Sequence, residues 1–479
     1  MLGEKTIREI VGRVLARSRA DETEVLVFGL EERLTRFANN TIHQNVAETD
    51  AAVVVRAAVG RRTGVGMTND LSDAGLERAL ETAIQAARLQ PEDPHYPGLP
   101  DPVPVEPAPA FDEQTAAYTP NDRARDVAIV CRRAEEAGVN ASGAFRTAVH
   151  EFAVANSHGL FAYHPTTIAD LTTVVMTDDS AGYAAGASWK VAEVDVVALG
   201  EEAIGRALRS RNPRPLEPGV YPVVLESYAV GDIVDFISGM AGGMAVAEGR
   251  SWMTGREEGE AIADPRVSIW DDGRDPAGWP LPFDFEGMPR QRVDIIREGR
   301  VGRPVYDRRW AALTGKAPTG HALPAANPFS PWLTASAGPA ALHPVMGPGE
   351  HTVEEMIAST DYGLYVTRFH YTRVVHPRQA VITGMTRDGT FLIERGEITV
   401  PVRNLRFTQS YVEALANVEM VGRRVHCERP DFTVVRAPAL KISAFHFTGA
   451  TEFWQGAGRM SQGAGRRAHV AECREQGAR

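Results

Sequence analysis

Eight prolines crowd into nineteen residues between Pro91 and Pro109 (PEDPHYPGLPDPVPVEPAP), and this stretch restricts the chain more than any other. Each proline fixes φ and lacks an amide donor, so the segment can be neither a helix nor a central strand. It is expected to run extended over the surface as a connector. The hydrophobic pattern follows the same course on both sides of it. Upstream, residues 4–18 carry apolar residues at helical spacing and precede EVLVFGLEERLTRFANNTI and AAVVVRAAVG. The β-branched content and short spacing of those two runs predict an antiparallel sheet. A helix then begins at Ser72, a plausible N-cap, with Leu76, Leu80, Ile84 and Ala87 on one face. Downstream, a helix over about 121–137, strands in FAVANSHGLFAYHP, ADLTTVVMT and GYAAGASWK, and a helix near 194–209 repeat the pattern.

The main boundary is placed near 213–218, in NPRPLEPG. Strand YPVVLES follows, then a helix from Tyr228 to Met244 with Val230, Ile233, Val234, Ile237, Met240, Ala241 and Met244 on one face. Asp232, Asp235 and Ser238 lie off that stripe and read as solvent or partner contacts. Gly239, Gly242 and Gly243 fall late in the same helix and read as points of close packing rather than phosphate binding. Beyond it, VDIIREGRVGRPVYD and MTRDGTFLIERGEITV alternate around glycine turns, with Asp388-Gly389 a hairpin signal. The fold class is therefore α+β: a two-layer N-terminal half (1–213) of antiparallel sheet and helices, then a mostly antiparallel β domain (214–454). Residues 455–479, with QGAGR twice and five arginines against two glutamates, are expected to form a disordered tail.

Composition narrows the function classes. The chain of 479 residues is 43% hydrophobic and 24% charged, which is ordinary globular material. A net charge of -11 supplies no protein-wide field for nucleic acid. Cys131, Cys427 and Cys473 are widely spaced and form no C-x-x-C pair, as expected of a reducing cytoplasm. The N-terminus MLGEKTIREIVGRVLARS has no uninterrupted apolar core, so no secretion is expected. The stretch Ile233 to Val246 contains Asp235 and three glycines and falls short of the ~20 residues a bilayer span needs.

No catalytic motif is complete. The histidines are His43, His95, His150, His158, His164, His321, His343, His351, His370, His376, His426, His446 and His469, and no two are closer than six residues. HExxH and HExxxH place their histidines four and five apart, so neither occurs. His150-Glu151 is the one His-Glu dipeptide, with Ala155 where a second ligand would stand. His370 and His376 alternate along a strand and could share a face. His426-Cys427 could supply ligands, although a lone Cys is more often a small buried hydrophobe. There is no G-x-S-x-G elbow, no phosphate-binding G-x-x-x-x-G-K-[ST] loop and no strand-linked G-x-G-x-x-G.

Three blocks taken together resemble a known family. They are RFANNTIHQN (Arg36 to Asn45), PFDFEGMPRQRVDIIREGRV (Pro282 to Val301) and TGMTRDGTFLIERGEITVPVRNLRFTQSYVEAL (Thr383 to Leu415). Their order and spacing are similar to the PmbA (TldE) side of the TldD/PmbA family, known as modulators of DNA gyrase and as peptidase subunits. Each block also has a purely structural reading: Asn39 and Asn40 suit a turn, and Thr386-Arg387-Asp388-Gly389 suits a hairpin. The resemblance implies a cytoplasmic complex in which a TldD-type and a PmbA-type subunit enclose a cavity where unfolded or short peptides, including leader peptides, are cleaved. It places zinc on an HExxxH helix of the TldD-type partner, helped by a distant cysteine. That helix follows a strand early in the second half, where this chain has Tyr228 to Met244 and no histidine. No catalytic residue, no metal ligand and no cofactor are therefore assigned to this chain, and its substrate-binding residues stay undetermined. Three readings follow: a non-catalytic subunit paired with a TldD-type partner, a stand-alone homodimeric hydrolase with a divergent site, and a regulatory binding module.

The tail reading yields a measurement. Deleting residues 455–479 is expected to leave the thermal midpoint unchanged, because a Gly-, Arg- and Gln-rich repeat buries little apolar surface. A fall of several degrees in a scanning melt would contradict it.

Overall fold

The computed structural model describes residues 1–330, 333–429 and 433–450. Residues 455–479, read as a tail, lie outside them. The first half contains α1 (Glu4–Arg17), β1 (Glu22–Ala38), β2 (Thr41–Val59), β3 (Arg62–Thr68) and α2 (Asp73–Leu89). After the proline-rich connector come the short α3 (Glu113–Ala116), α4 (Pro120–Glu136), β4 (Asn140–Asn156), β5 (Phe161–Met176), β6 (Ala181–Ser188) and α5 (Val196–Arg209). The strands form one antiparallel sheet in the order β3-β2-β1-β4-β5-β6. The arrangement is two helix–three-strand–helix repeats laid edge to edge, joined where β1 pairs β4 from Glu24↔Asn156 to Phe37↔Gly143.

Each face of this sheet has its own partner, as the two-residue period of a strand requires. On one face Val25, Val27, Val53 and Val55 meet Ile7 and Ile10 of α1 and Leu76 and Leu80 of α2. On the same face Phe145, Leu171 and Val175 meet Val127 and Val130 of α4 and Leu199 and Ala203 of α5. The opposite face, with Leu26, Phe28, Phe152 and Val154, packs on Trp279, Leu281, Phe283 and Phe285 from the second half. The helix at Ser72 starts as expected, its hydroxyl accepting from the Gly75 amide. The connector forms neither helix nor strand. It is tied to both halves: Glu22 accepts from the Leu99 amide at 3.0 Å, and Arg309 donates to Asp93 at 2.7 Å.

The second half contains β7 (Gly219–Leu225), α6 (Ser227–Gly239), α7 (Gly243–Ala247), β8 (Ile269–Asp271), β9 (Val293–Arg297), β10 (Arg300–Val301), α8 (Arg308–Thr314) and β11 (Pro344–Met346). Then follow α9 (Val353–Ala358), β12 (Tyr362–His376), β13 (Val381–Glu394), β14 (Glu397–Pro401), β15 (Leu405–Ser410), α10 (Tyr411–Ala416), β16 (Val418–Glu428) and β17 (Val435–Ala450). They build an eleven-stranded sheet in which β7 pairs both β12, in parallel, and β17, antiparallel. The pairings β17-β15-β13-β12-β7-β17 thus close into a ring. Helix α6 packs Val230, Ile233, Val234 and Ile237 against it in the main core. Among the described residues no helix is long and apolar enough to cross a membrane.

Two local expectations are corrected. The helix read as Tyr228 to Met244 stops at Gly239, because Gly242 leaves the helical path to bridge Val305, and the Gly243 amide donates to the Val305 carbonyl at 2.9 Å. A Cβ at Gly242 or Gly243 would lie 2.4 Å from the Pro339 carbonyl or 2.2 Å from the Tyr306 ring, so packing does explain both glycines, at the start of α7 rather than late in α6. Asp388-Gly389 makes no hairpin. Strand β13 runs through it as a bulge opposite Thr367, with φ of 57° and 134°, and the turn is instead Arg395-Gly396, both at positive φ.

Helix α2 lies directly on the backbone of β3: a Cβ at Gly66 would sit 2.0 Å from the Ala79 carbonyl oxygen. Gly66→Ala is expected to destabilise the protein by about 1–3 kcal/mol in urea unfolding. Gly205→Ala, in α5 with nothing within 4 Å of the new methyl, should instead stabilise by roughly 0.5–1 kcal/mol. Equal effects at the two sites would overturn this packing.

Candidate functional site

Strand β7 enters the core and α6 begins immediately after it, with Glu226 at its N-cap. Asp232 and Ser238 of α6 turn inward rather than to solvent. Asp232 accepts from the Tyr411 hydroxyl at 2.6 Å and from the Thr372 hydroxyl at 2.7 Å. Burial pushes its carboxyl up to about 6 against both hydrogen bonds. Ser238 is buried without a partner for its hydroxyl, a correction to its reading as a solvent contact, because the helix is enclosed on that side too.

Strand β16, paired antiparallel with β17, carries His426, Cys427 and Glu428 past the start of this helix. A Cβ at Gly231 would meet Val435 Cγ1 at 3.9 Å and Glu428 Oε2 at 4.0 Å, ordinary packing distances. Glu428 Oε1 is buried and has no hydrogen-bond partner. Desolvation pushes this carboxyl up to about 8, opposed by Arg368 and Arg206 and reinforced by Asp232 and Glu202. Around it, Arg206 pairs with Glu202 and Glu226, Tyr228 donates to Glu202 at 2.9 Å, and Tyr365 donates to Glu226. The bulge at Asp388 aims its carboxylate at Arg368, whose guanidinium stacks 3.9 Å from the centre of the Tyr183 ring on β6. The Thr367 hydroxyl holds the bulge, 3.0–3.1 Å from the carbonyl oxygens of Arg387, Asp388 and Gly389. The candidate site is therefore a cluster of carboxylates and two arginines where the first sheet's β6 edge packs against the second half beside α6.

These residues do not fit a zinc ion. The His426 ring packs on Tyr228 at 4.8 Å, and burial lowers its pKa. Cys427 faces the other side of the strand, against the apolar cluster between the halves, where burial pushes its thiol up to about 12. Both Asp232 oxygens already accept hydroxyl donors. Among the described residues no three His, Cys, Asp or Glu side chains converge as metal ligands. His370 and His376 both project from β12, but six residues of strand hold them roughly 15–20 Å apart. His150 is buried on Phe152 and Trp279, while Glu151 turns to the other face and accepts from the Leu2 and Gly3 amides.

The blocks that carried the family resemblance turn out to be largely structural. Asn39 and Asn40, with φ of 51° and 60°, form the β1–β2 turn, and Asn40 also binds the second repeat through Val139 and Ala141 at 2.8 and 2.7 Å. Arg36 is exposed. In PFDFEGMPR, Asp284 accepts the amides of Glu286, Met288 and Ala322, and Arg290 lies fully buried beside Asp271, which also binds His321 at 2.9 Å. Sequence reasoning missed the Arg206, Arg368 and Glu428 convergence. Three segments meet there with no shared motif.

Glu428 gives the site a pH signature. A carboxyl whose folded pKa is raised favours folding below its ordinary value and loses that contribution as pH climbs from 4.5 towards 8. Glu428→Gln should therefore melt above the native chain at pH ~8.5 by on the order of 2 kcal/mol, with the difference vanishing near pH ~4.5. A constant difference across that range would show that Glu428 is not desolvated.

Comparison with known proteins agrees with this architecture along the chain. The PmbA/TldA metallopeptidase domain 1 matches residues 24–87, the central domain 98–211 and the C-terminal domain 218–449. Metalloprotease PmbA of Escherichia coli O157:H7 is 24% identical over 446 residues, covering 88% of this chain and 92% of that protein. A metalloprotease TldD homolog of Haemophilus influenzae is 24% identical over 422 residues, covering 82% and 86%. Among solved structures, TldE from Thermococcus kodakarensis superposes with a TM-score of 0.83 at 20% identity, covering 93% of this chain and 99% of that one. A candidate modulator of DNA gyrase from Thermotoga maritima gives 0.80 at 18%, covering 92% and 100%. With its three domains matched in order over most of its length, the chain belongs to the PmbA/TldD metallopeptidase family.

Proposed function

We propose that this chain is a PmbA/TldE-like, non-catalytic subunit of a cytoplasmic TldD/TldE-type peptidase complex. It shapes and presents unfolded or short peptides to a metal held by a TldD-type partner. The observation that supports this reading is the composition of α6. The helix that follows the first strand of the second half spends Val230, Ile233, Val234 and Ile237 on the core and holds no histidine. Zinc hydrolysis needs preorganised lone pairs about 2.0–2.3 Å from the ion and an open position for water. Here the nearby donors are a ring packed on Tyr228, a thiol facing the other way and an aspartate already bound to two hydroxyls.

What stands beside α6 is a polar cluster. Glu428, with its unpaired oxygen, and Arg368 can hold peptide groups by charge and hydrogen bond without forming or breaking a bond.

The chain purified without a His tag should hold no stoichiometric zinc by mass spectrometry and cleave no unstructured peptide alone. Cleavage should appear on adding a TldD-type partner. One tightly bound zinc per chain with chelator-sensitive cleavage in the partner's absence would replace this reading with a stand-alone hydrolase.

A further inference from the structure

The fold assembles a cationic surface that no linear segment shows. On the face of β12, β13 and β15 turned away from α6, the antiparallel register sets His370 beside Met385 and Met385 beside Arg406. One step along, Arg373 stands beside Thr383 and Thr383 beside Thr408. The hydroxyls of Thr383 and Thr408 lie 3.2 Å apart, which fixes these side chains on one side. Arg387 follows two residues after Met385 on β13. Arg378, in the turn between β12 and β13, lines an open cavity of about 480 Å³ together with Val381 and Thr408.

Among the described residues none of these cations is neutralised by a carboxylate of its own. Arg373 donates to the Thr372 carbonyl at 2.9 Å, and among the described residues neither it, Arg378 nor Arg406 has a carboxylate within ion-pair distance. Arg387 reaches Asp388 at 3.7 Å, but that carboxylate is held by Arg368. The cavity's far wall carries Glu413, and Arg256 on its rim is paired with Glu260. His370 registers the local field: burial, then Arg387 and Arg368, hold its pKa down to about 4. In a chain of net charge -11 this is a local reversal of sign. Exposed Val374 and Val375, 43% and 56% accessible, lie along the same strand and offer aliphatic contact. Tyr371, 64% accessible, is the exposed ring between His370 and Arg373, whereas a nucleic-acid platform would interleave its cations with several stacking aromatics.

We propose that this face binds acidic segments of unfolded polypeptide, pairing their side-chain carboxylates with Arg373, Arg378, Arg387 and Arg406. The inference rests on the reading of the chain as a peptide-presenting subunit and names the class of peptide it favours. Charge complementarity of exposed groups confers selectivity and salt dependence more than raw affinity, so binding is weak and steeply screened.

The test is fluorescence anisotropy on the full chain without a partner. The probes are a Glu-rich unstructured peptide with an amidated end, its Gln-for-Glu isostere, and a neutral peptide with a free C-terminal carboxylate. The Glu-rich peptide should bind about tenfold or more tightly than the isostere and lose about tenfold in affinity between low and ~0.3 M salt. The double variant R373Q/R406Q should weaken it roughly three- to tenfold with an unchanged melt, and R88Q, on α2, should not. If the first pair fails to fold, R378Q/R387Q carries the same expectation. Equal binding of the isostere, preference for the neutral free-carboxylate peptide, tighter binding of a single-stranded oligonucleotide, or indifference to both arginine pairs would each overturn the proposal. Partner-dependent cleavage of a neutral peptide alongside failed acidic binding sinks this inference alone. Loss of all partner-dependent cleavage sinks the wider reading.

Discussion

The pairing of β7 between β12 and β17 is the constraint on which the second half depends. Strand β7 has Leu225 opposite Val366 on one side and opposite Leu440 on the other, so it is fixed in position and in direction. Because α6 starts two residues later, the closed ring also fixes where that helix begins and which side of it meets the core. Strand β17 serves as the common element, bonded to β7, β11, β15 and β16 along its length. Through β16 it delivers Glu428 to the start of α6. The carboxylate cluster beside α6 is thus a consequence of main-chain pairing, with side chains placed secondarily.

Burying this many charged groups requires mutual compensation. A buried ion pair whose partner is removed is left as an uncompensated charge, and that is far more costly than the pair itself is favourable. The protein meets the requirement by grouping: Arg206 serves two glutamates, Arg56 serves Glu24 and Glu286, and Arg290 sits with Asp271 and His321 under the PFDFEGMPR segment. Among the described residues Glu428 is the buried carboxylate left with an unpaired oxygen.

Local signals were legible where one interaction decides the outcome. The Ser72 cap, the Asn39-Asn40 turn and the helices at 4–17, 120–136 and 196–209 depend on residues within four positions of each other. Glu298-Gly299, with φ of 48° and 74°, likewise turns β9 into β10. Asp388-Gly389 carries the same kind of signal but became a bulge, since Thr367 on the neighbouring strand satisfies its carbonyls and β13 continues to pair beyond it. The overlong reading of α6 has a similar cause: Met240, Ala241 and Met244 continue the helical period, while Val305, some sixty residues on, claims the backbone of Gly242 and Gly243.

The amino-acid sequence alone determined the α+β class, the apolar stripe of α6 and the absence of any HExxH or HExxxH, because each is a matter of spacing between near neighbours. Only the tertiary structure decided that Arg206, Arg368, Glu428 and Asp232 lie in one cluster, that Cys427 faces away from it, and that Arg373, Arg387 and Arg406 from three strands share one sheet face. The physical reason is that side-chain direction in a strand reverses with a one-residue shift of register. Register here is set by bulges at Arg368, Arg373 and His376 and by the closure of the ring, neither of which has a local signature.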